Sequence, residues 1–273
     1  MRVSFLFWNL MKRPLQDRLA KMVSTHKVDI VILAECNLPS AVIETALVQQ
    51  TSQDYRLAPS NVEEKIRIFS RLDQSALVHQ FSDYTGRLSI RTLHLPGKTE
   101  DILLAVVHLP SRVNFSADEQ MAMAQETATE ISRIENETSF SRTILVGDFN
   151  MNPFDSGMVA AQTFHAMMTK QLVRKGERTS QGRSYRFFYN PMWRFFGDQD
   201  ELPSGTYYWQ ASNPINHFWN MYDQVLLRPE LMYSLLDLRI LHSDGQTSLL
   251  TNSGIPDKIA GSDHLPIYFQ LEL

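Results

Sequence analysis

The sequence predicts a mixed α+β protein, and three observations carry that expectation. Two apolar runs in the first 35 residues, Val3 to Trp8 and Val28 to Leu33, flank a segment with a helical apolar repeat. Between Tyr55 and Leu95 lie four short β-rich runs separated by turn residues. A second pair of apolar runs, Ile102 to Val107 and Ile144 to Val146, is joined by a long helical stretch.

In chain order, Pro14 suits the start of the first helix, and Leu15, Leu19, Met22 and Val23 share its apolar face. That crossover is long enough to make the flanking strands parallel neighbours, with their ends at one edge. Leu38 to Gln50 reads as a second helix. The runs Tyr55 to Ala58, Lys65 to Arg71, Ser75 to Phe81 and Leu88 to Leu95 read as an antiparallel meander, with turn signals at Asp83, Gly86 and Pro96-Gly97. Ser116-Ala117-Asp118-Glu119 has the form of a capping box, and Met121, Ala124, Ala128 and Ile131 mark a helix reaching about Asn136. Ser156 to Met168 is expected to be helical, with His165 part of its buried Met and aromatic stripe. Strands are expected at Tyr222 to Leu227, Leu238 to Leu241 and Ile267 to Leu271, with a loop over 247–260.

Composition narrows the function classes. With 273 residues and 43% hydrophobic content, the chain can bury a large core as one domain, 1–273, carrying a basic aromatic insertion at about 170–220. A net charge of -4 argues against a surface that coats nucleic acid all over. Cys36 is the single cysteine, which excludes an internal disulfide framework, a cysteine zinc site and, by expectation, a disulfide-linked partner. The five-residue apolar run near Met1 is too short for a signal-peptide core or a membrane span. The expectation is a soluble cytoplasmic monomer with no membrane partner.

Polar groups recur where apolar strands end. Ile144-Leu145-Val146-Gly147-Asp148-Phe149-Asn150 delivers Asp148 and Asn150 on one face, because strand side chains alternate, while Phe149 turns into packing. Asn9, Glu35 and His108 follow three other apolar runs, Asp223 opens one, and Asp263-His264 precedes the last. Such a set suits a hard divalent cation with oxygen ligands, a histidine supported by a carboxylate, and an activated water. From Lys170 to Arg194 the chain holds seven basic residues against one acid, interleaved with aromatic residues. That mixture offers stacking faces beside guanidinium groups to a phosphate-rich ligand, or else forms a satellite apolar cluster rimmed by solvated arginines.

Asn9, Ala34-Glu35, Gly147-Asp148-Phe149-Asn150, Tyr222-Asp223-Gln224-Val225 and Ser262-Asp263-His264 occur in the order seen in the endonuclease/exonuclease/phosphatase superfamily, which this chain resembles from Val3 to Leu271. The resemblance implies a four-layer α/β/β/α sandwich of two packed mixed sheets, as in deoxyribonuclease I, with the site at one edge. It implies Glu35 as the principal ligand of Mg²⁺ or Mn²⁺, assisted by Asn9 and Asp263. It gives Asp148 to the attacking water, Asn150 to that water or the phosphate, and His264 with Asp223 as the histidine-carboxylate pair. His108 resembles the second histidine of the deoxyribonuclease-like branch, with Glu64 as its carboxylate partner. The base is then either Asp148 or the His264–Asp223 pair, and the resemblance leaves open whether one metal ion or two take part. Ala34 stands where relatives carry glutamine, and Gln224 where many carry Arg or Tyr, departures that bear on substrate contacts. Arg112, Arg183, Arg186, Trp193 and Arg194 are the expected substrate-binding residues. The implied activity is hydrolysis of phosphodiester bonds in nucleic acid, with a small phosphoester as the alternative.

Overall fold

The computed structural model describes residues 1–60, 65–98, 100–197 and 203–273. The apolar run Arg2–Asn9 pairs in parallel with Ile30–Ala34, placing Asn9 beside Ala34, and the helix Gln16–His26 makes the crossover. Ile267–Glu272 pairs antiparallel with the other side of Arg2–Asn9. The first sheet thus has the order Leu235–Ile240, Ile267–Glu272, Arg2–Asn9, Ile30–Ala34, Ile66–Ser70, Arg56–Leu57.

The second sheet has the order Leu77–Ser82, Leu88–Leu93, Ile102–His108, Thr143–Asp148, Asp223–Leu227, Phe188–Tyr189, Ala166–Met167. Its centre combines a parallel pair, with His108 beside Asp148, and an antiparallel one, with Asp223 beside Asp148. Three polar side chains therefore meet at one edge. Gly147 permits this closeness: a Cβ there would stand 1.9 Å from the Val107 carbonyl oxygen.

Strand alternation builds two cores from one apolar sequence. In Ile102–His108, Leu104 and Val106 join the cluster shared with the first sheet. Leu103, Ala105 and Val107 instead meet Ala124, Ile131 and Ile134 of the helix Ala117–Thr138. Each large aliphatic side chain buried this way contributes about 1.5–3 kcal/mol relative to exposure. That helix starts with the expected capping box, Ser116 and Glu119 each accepting the other's backbone N–H. With Gln16–His26 and Ser40–Thr51 outside the first sheet, the architecture is a four-layer α+β sandwich.

Two expectations need correction. The meander is divided between the sheets: Arg56–Leu57 and Ile66–Ser70 lie in the first, Leu77–Ser82 and Leu88–Leu93 in the second. Periodicity identifies strands, but their sheet depends on which neighbour covers each face. The helix expected to reach Met168 covers only Ser156–Val159, after which Ala160 turns extended and Ala166–Met167 forms a short strand. Gly157 and the β-branched Val159 and Thr163 weaken helix preference, so core contacts decide. Phe164 and His165 are still buried, as the stripe implied.

Candidate active site

The polar groups of the sandwich edge sit on strand ends and on the loops adjoining them, and hydrogen bonds then tie the sheets together there. Asn9 Nδ2 donates to Asp148 Oδ2 at 3.0 Å, crossing from the first sheet to the second. Asp148 Oδ1 accepts the Asn150 backbone N–H at 2.9 Å, so both carboxylate oxygens are engaged. Asn150 has φ of 50°, a left-handed conformation that asparagine tolerates, and its amide donates to the Leu109 carbonyl at 2.8 Å. Glu35 also has positive φ, 47°. For a longer acidic side chain that is a cost the surrounding strands must hold in place, as is common at functional sites.

His264 arrives on the loop before the last strand. Ser262 Oγ donates to the Asn9 carbonyl at 2.7 Å, and Trp8 Nε1 donates to the His264 carbonyl at 2.9 Å, fixing that loop on the end of the first strand. Its Nδ1 lies 2.8 Å from Asp223 Oδ2, and its Nε2 lies 4.0 Å from Asp148 Oδ2. Tyr207 packs against the imidazole with ring centroids 4.8 Å apart, and Tyr222 stacks on Tyr207 at 5.3 Å. Thr206 Oγ1 accepts the Asp223 backbone N–H at 3.1 Å, anchoring the strand start.

The two histidines are driven in opposite directions. Burial pulls the His264 imidazole down, but Asp223, Asp148 and Asp263 together outweigh it and lift it to about 10. Burial lowers His108, and the nearby Arg87 and Lys65 add to that effect against the pull of Asp148. Burial raises the Asp148 carboxyl, with repulsion from Asp223 adding to it. Near neutral pH the edge therefore holds a cationic and a neutral imidazole on either side of buried Asp148, a separation suited to acid and base roles.

Asp148, Asp223 and His264 offer ligand atoms within 4.8 Å of one another. His264 Nδ1 pairs with Asp223 Oδ2 while Asp148 is held by Asn9 and Asn150, and a ring held cationic is a poor ligand, so the group suits a charged imidazole better than a metal ion. The expected metal-binding residues fit a hard cation better. Glu35 and Asp263 offer carboxylate oxygens, and the Asn9 amide oxygen, which accepts the Met11 N–H at 3.0 Å, is a further oxygen donor. Among the described residues no hydrogen-bond donor reaches the Glu35 carboxylate, and His108 Nε2 stands 3.6 Å away. Within the same edge, Asp223 Oδ1 is buried without a partner.

The expected substrate-binding residues do not gather there as a group. Arg112 adjoins the site, but Asp155 at 2.7 Å and Gln120 at 2.9 Å hold its guanidinium, and Gln120 in turn donates to the Asn150 carbonyl. Trp193 packs near Phe154 and Phe196, with centroids 6.2 and 5.7 Å away, flanking the loop that follows Asn152. Arg194 is exposed and lies over Phe195. Arg186 corrects the expectation of a basic cover over the edge: it binds Glu135, Glu230 and the Ser141 carbonyl, at the opposite end of Thr143–Asp148. Arg183 is exposed on the same hairpin, paired with half-buried Ser180 near its turn. Arg186→Ala is accordingly expected to cost about 1 kcal/mol of stability, as for a half-exposed pair. Turnover of a small phosphodiester should not change, and thermal unfolding with a parallel assay checks both. The Glu64 expectation falls outside the described residues.

Sequence reasoning missed Thr206 and Tyr207, which carry no charge pattern, gave Tyr222 no role of its own, and missed Arg87, which donates to the His108 carbonyl at 3.0 Å. Gln224 turns away from the edge, holding the Met151 carbonyl at 2.7 Å and accepting from Asn190 at 2.7 Å.

A four-layer sandwich with the buried Asp148, Asp223 and His264 and the oxygen donors Glu35, Asn9 and Asp263 at one edge defines the class of molecule. The chain belongs to the Endonuclease/Exonuclease/phosphatase family, whose model matches residues 6–264. Solved structures share the fold at low identity. A Bacteroides thetaiotaomicron member of that family is 14% identical with a TM-score of 0.61, covering 99% of this chain and 98% of that one. D. rerio TDP2 in complex with a single-strand DNA product is 16% identical with a TM-score of 0.58, covering 100% and 99%. The endonuclease domain of the telomere-specific retrotransposon TRAS1 is 13% identical with a TM-score of 0.54, covering 99% of each chain. No curated protein matches the sequence. Among the described residues no helix is long and apolar enough to cross a membrane.

Proposed function

We propose that this chain hydrolyses phosphodiester bonds in nucleic acid, with Mg²⁺ or Mn²⁺ held by Glu35, Asn9 and Asp263. The observation that carries this reading is the His264–Asp223 pair, 2.8 Å apart and facing Asp148 across the edge. A bound cation would supply Lewis-acid stabilisation of charge on the phosphoryl oxygens. Asp148, made more basic by burial, orients the attacking water and takes its proton. Asn150 holds that water or the phosphate. His264, cationic at neutral pH, donates a hydrogen bond to the phosphoryl group, and neutral His108 orders the opposite side. Trp193 and exposed Arg194 border the substrate. The single-strand DNA product bound by D. rerio TDP2 supports nucleic acid as the substrate class.

A small phosphoester is the second reading, favoured by Arg186 being committed to Glu135 and Glu230. The test is the purified chain with Mg²⁺ and Mn²⁺ against plasmid, single-stranded DNA, RNA and phosphomonoesters over a range of salt. Polynucleotide hydrolysis whose apparent affinity falls steeply with salt is expected. Turnover of phosphomonoesters alone would overturn the nucleic-acid reading.

A further inference from the structure

Beside the catalytic edge, the two-stranded ribbon Tyr207–Tyr208 and Trp219–Asn220 carries more aromatic surface than its own packing uses. Strand alternation puts Tyr207 and Trp209 on one face. Tyr207 touches the His264 ring, whereas Trp209, further out, is 49% exposed. One ammonium serves both: Lys258 Nζ lies 5.9 Å from the Tyr207 ring centroid and 5.7 Å from that of Trp209. Among the described residues Lys258 has no carboxylate partner, and it is exposed. Its loop is fixed on both sides of the lysine's own backbone, by Asp257 Oδ1 accepting the Ile259 and Ala260 N–H groups and by Arg13 donating to the Ile259 carbonyl. A cation held between two rings, one on the catalytic histidine and the other open to solvent, is more than the ribbon needs for its own stability.

We propose that Tyr207, Lys258 and Trp209 form a binding track for an unpaired strand leaving the catalytic edge, Trp209 stacking on an exposed base and Lys258 meeting the adjacent phosphate. This rests on the nucleic-acid reading above and refines it to single strands. Duplex bases are stacked on each other and cannot offer a face to Trp209, while an unpaired base of any identity can. The far hairpin, whose Arg186 is tied to Glu135 and Glu230, offers no second row of cations at this edge for gripping a duplex.

The experiment is anisotropy of a labelled oligothymidylate and of a duplex of equal length, titrated with the full chain in chelator so that nothing is cleaved. The single strand should bind more tightly. Trp209→Ala should weaken it about tenfold, in the range of one lost base–aromatic stack, and Trp209→Phe should recover most of that loss. Lys258→Gln should reduce the salt slope by roughly one unit. Equal or tighter duplex binding, or single-strand affinity within about twofold of wild type in Trp209→Ala, would overturn the track. Because binding is read without turnover, a chain that binds single strands through Trp209 but hydrolyses no phosphodiester defeats the catalytic reading alone. Hydrolysis with no Trp209 dependence defeats the track alone.

Discussion

Asp223→Asn is expected to lower turnover by roughly four orders of magnitude, the scale seen when the carboxylate behind a catalytic histidine is neutralised. Asp223 is fully buried and its Oδ2 lies 2.8 Å from His264 Nδ1, so it fixes the ring's orientation and favours its protonated form. Asparagine keeps the size and can keep one hydrogen bond, but not the charge. Burial, the largest influence on His264 and one that lowers its pKa, would then be opposed mainly by Asp148 and Asp263. In the parent chain activity that depends on cationic His264 should persist until the pH rises through about 10. In the variant that descending limb should move to lower pH. Stability follows the same sign: a folded-state pKa raised from 6.5 to about 10 stabilises the fold fully below 6.5, and the benefit is lost as pH rises through about 10. A pH–rate profile with the same limb in both proteins would show that the pair only supports the loop.

Glu35→Gln is expected to reduce activity by roughly a hundredfold or more, since even the outer partners of metal ligands are worth 10–100-fold. Glu35 follows directly on the buried strand Ile30–Ala34 and sits at φ 47°, so its direction is set by the backbone more than by side-chain partners. Glutamine preserves that direction while removing the charge that a hard cation requires. Calorimetric titration should show weaker Mn²⁺ binding together with the lost turnover, and circular dichroism should show an intact fold. Undiminished hydrolysis in chelator by the parent chain would remove the cation from the mechanism.

These residues were legible because strand ends leave a strong local signature. Asn9, Glu35, His108 and Asp148 each follow a run of apolar residues, and the parallel pairings bring Asn9 beside Ala34 and His108 beside Asp148. What local pattern could not supply was partners. Arg186 looked available because its sequence neighbours are basic, yet Glu135 and Glu230 lie 51 and 44 residues away along the chain. The stretch after Tyr55 showed its strands but not which sheet each would join, because both sheets bury similar apolar faces. Tyr207 and Thr206 were invisible for another reason: a tyrosine against a histidine and a hydroxyl at a strand start have no spacing rule to betray them.

The seam between the sheets also has a bearing on biosynthesis. Asn9, Asp148 and His264 come from the beginning, middle and late parts of the chain, and the loop bearing His264 is anchored on Trp8 and Asn9. Ile267–Glu272 must insert between Leu235–Ile240 and Arg2–Asn9 before that loop is held. During synthesis the emerging chain can assemble much of the second sheet while the first still lacks a central strand. A ribosome-bound intermediate would thus carry Asp148 and Asp223 without the imidazolium they serve. The Asp148–Asp223–His264 cluster is complete only once the strand Ile267–Glu272 docks.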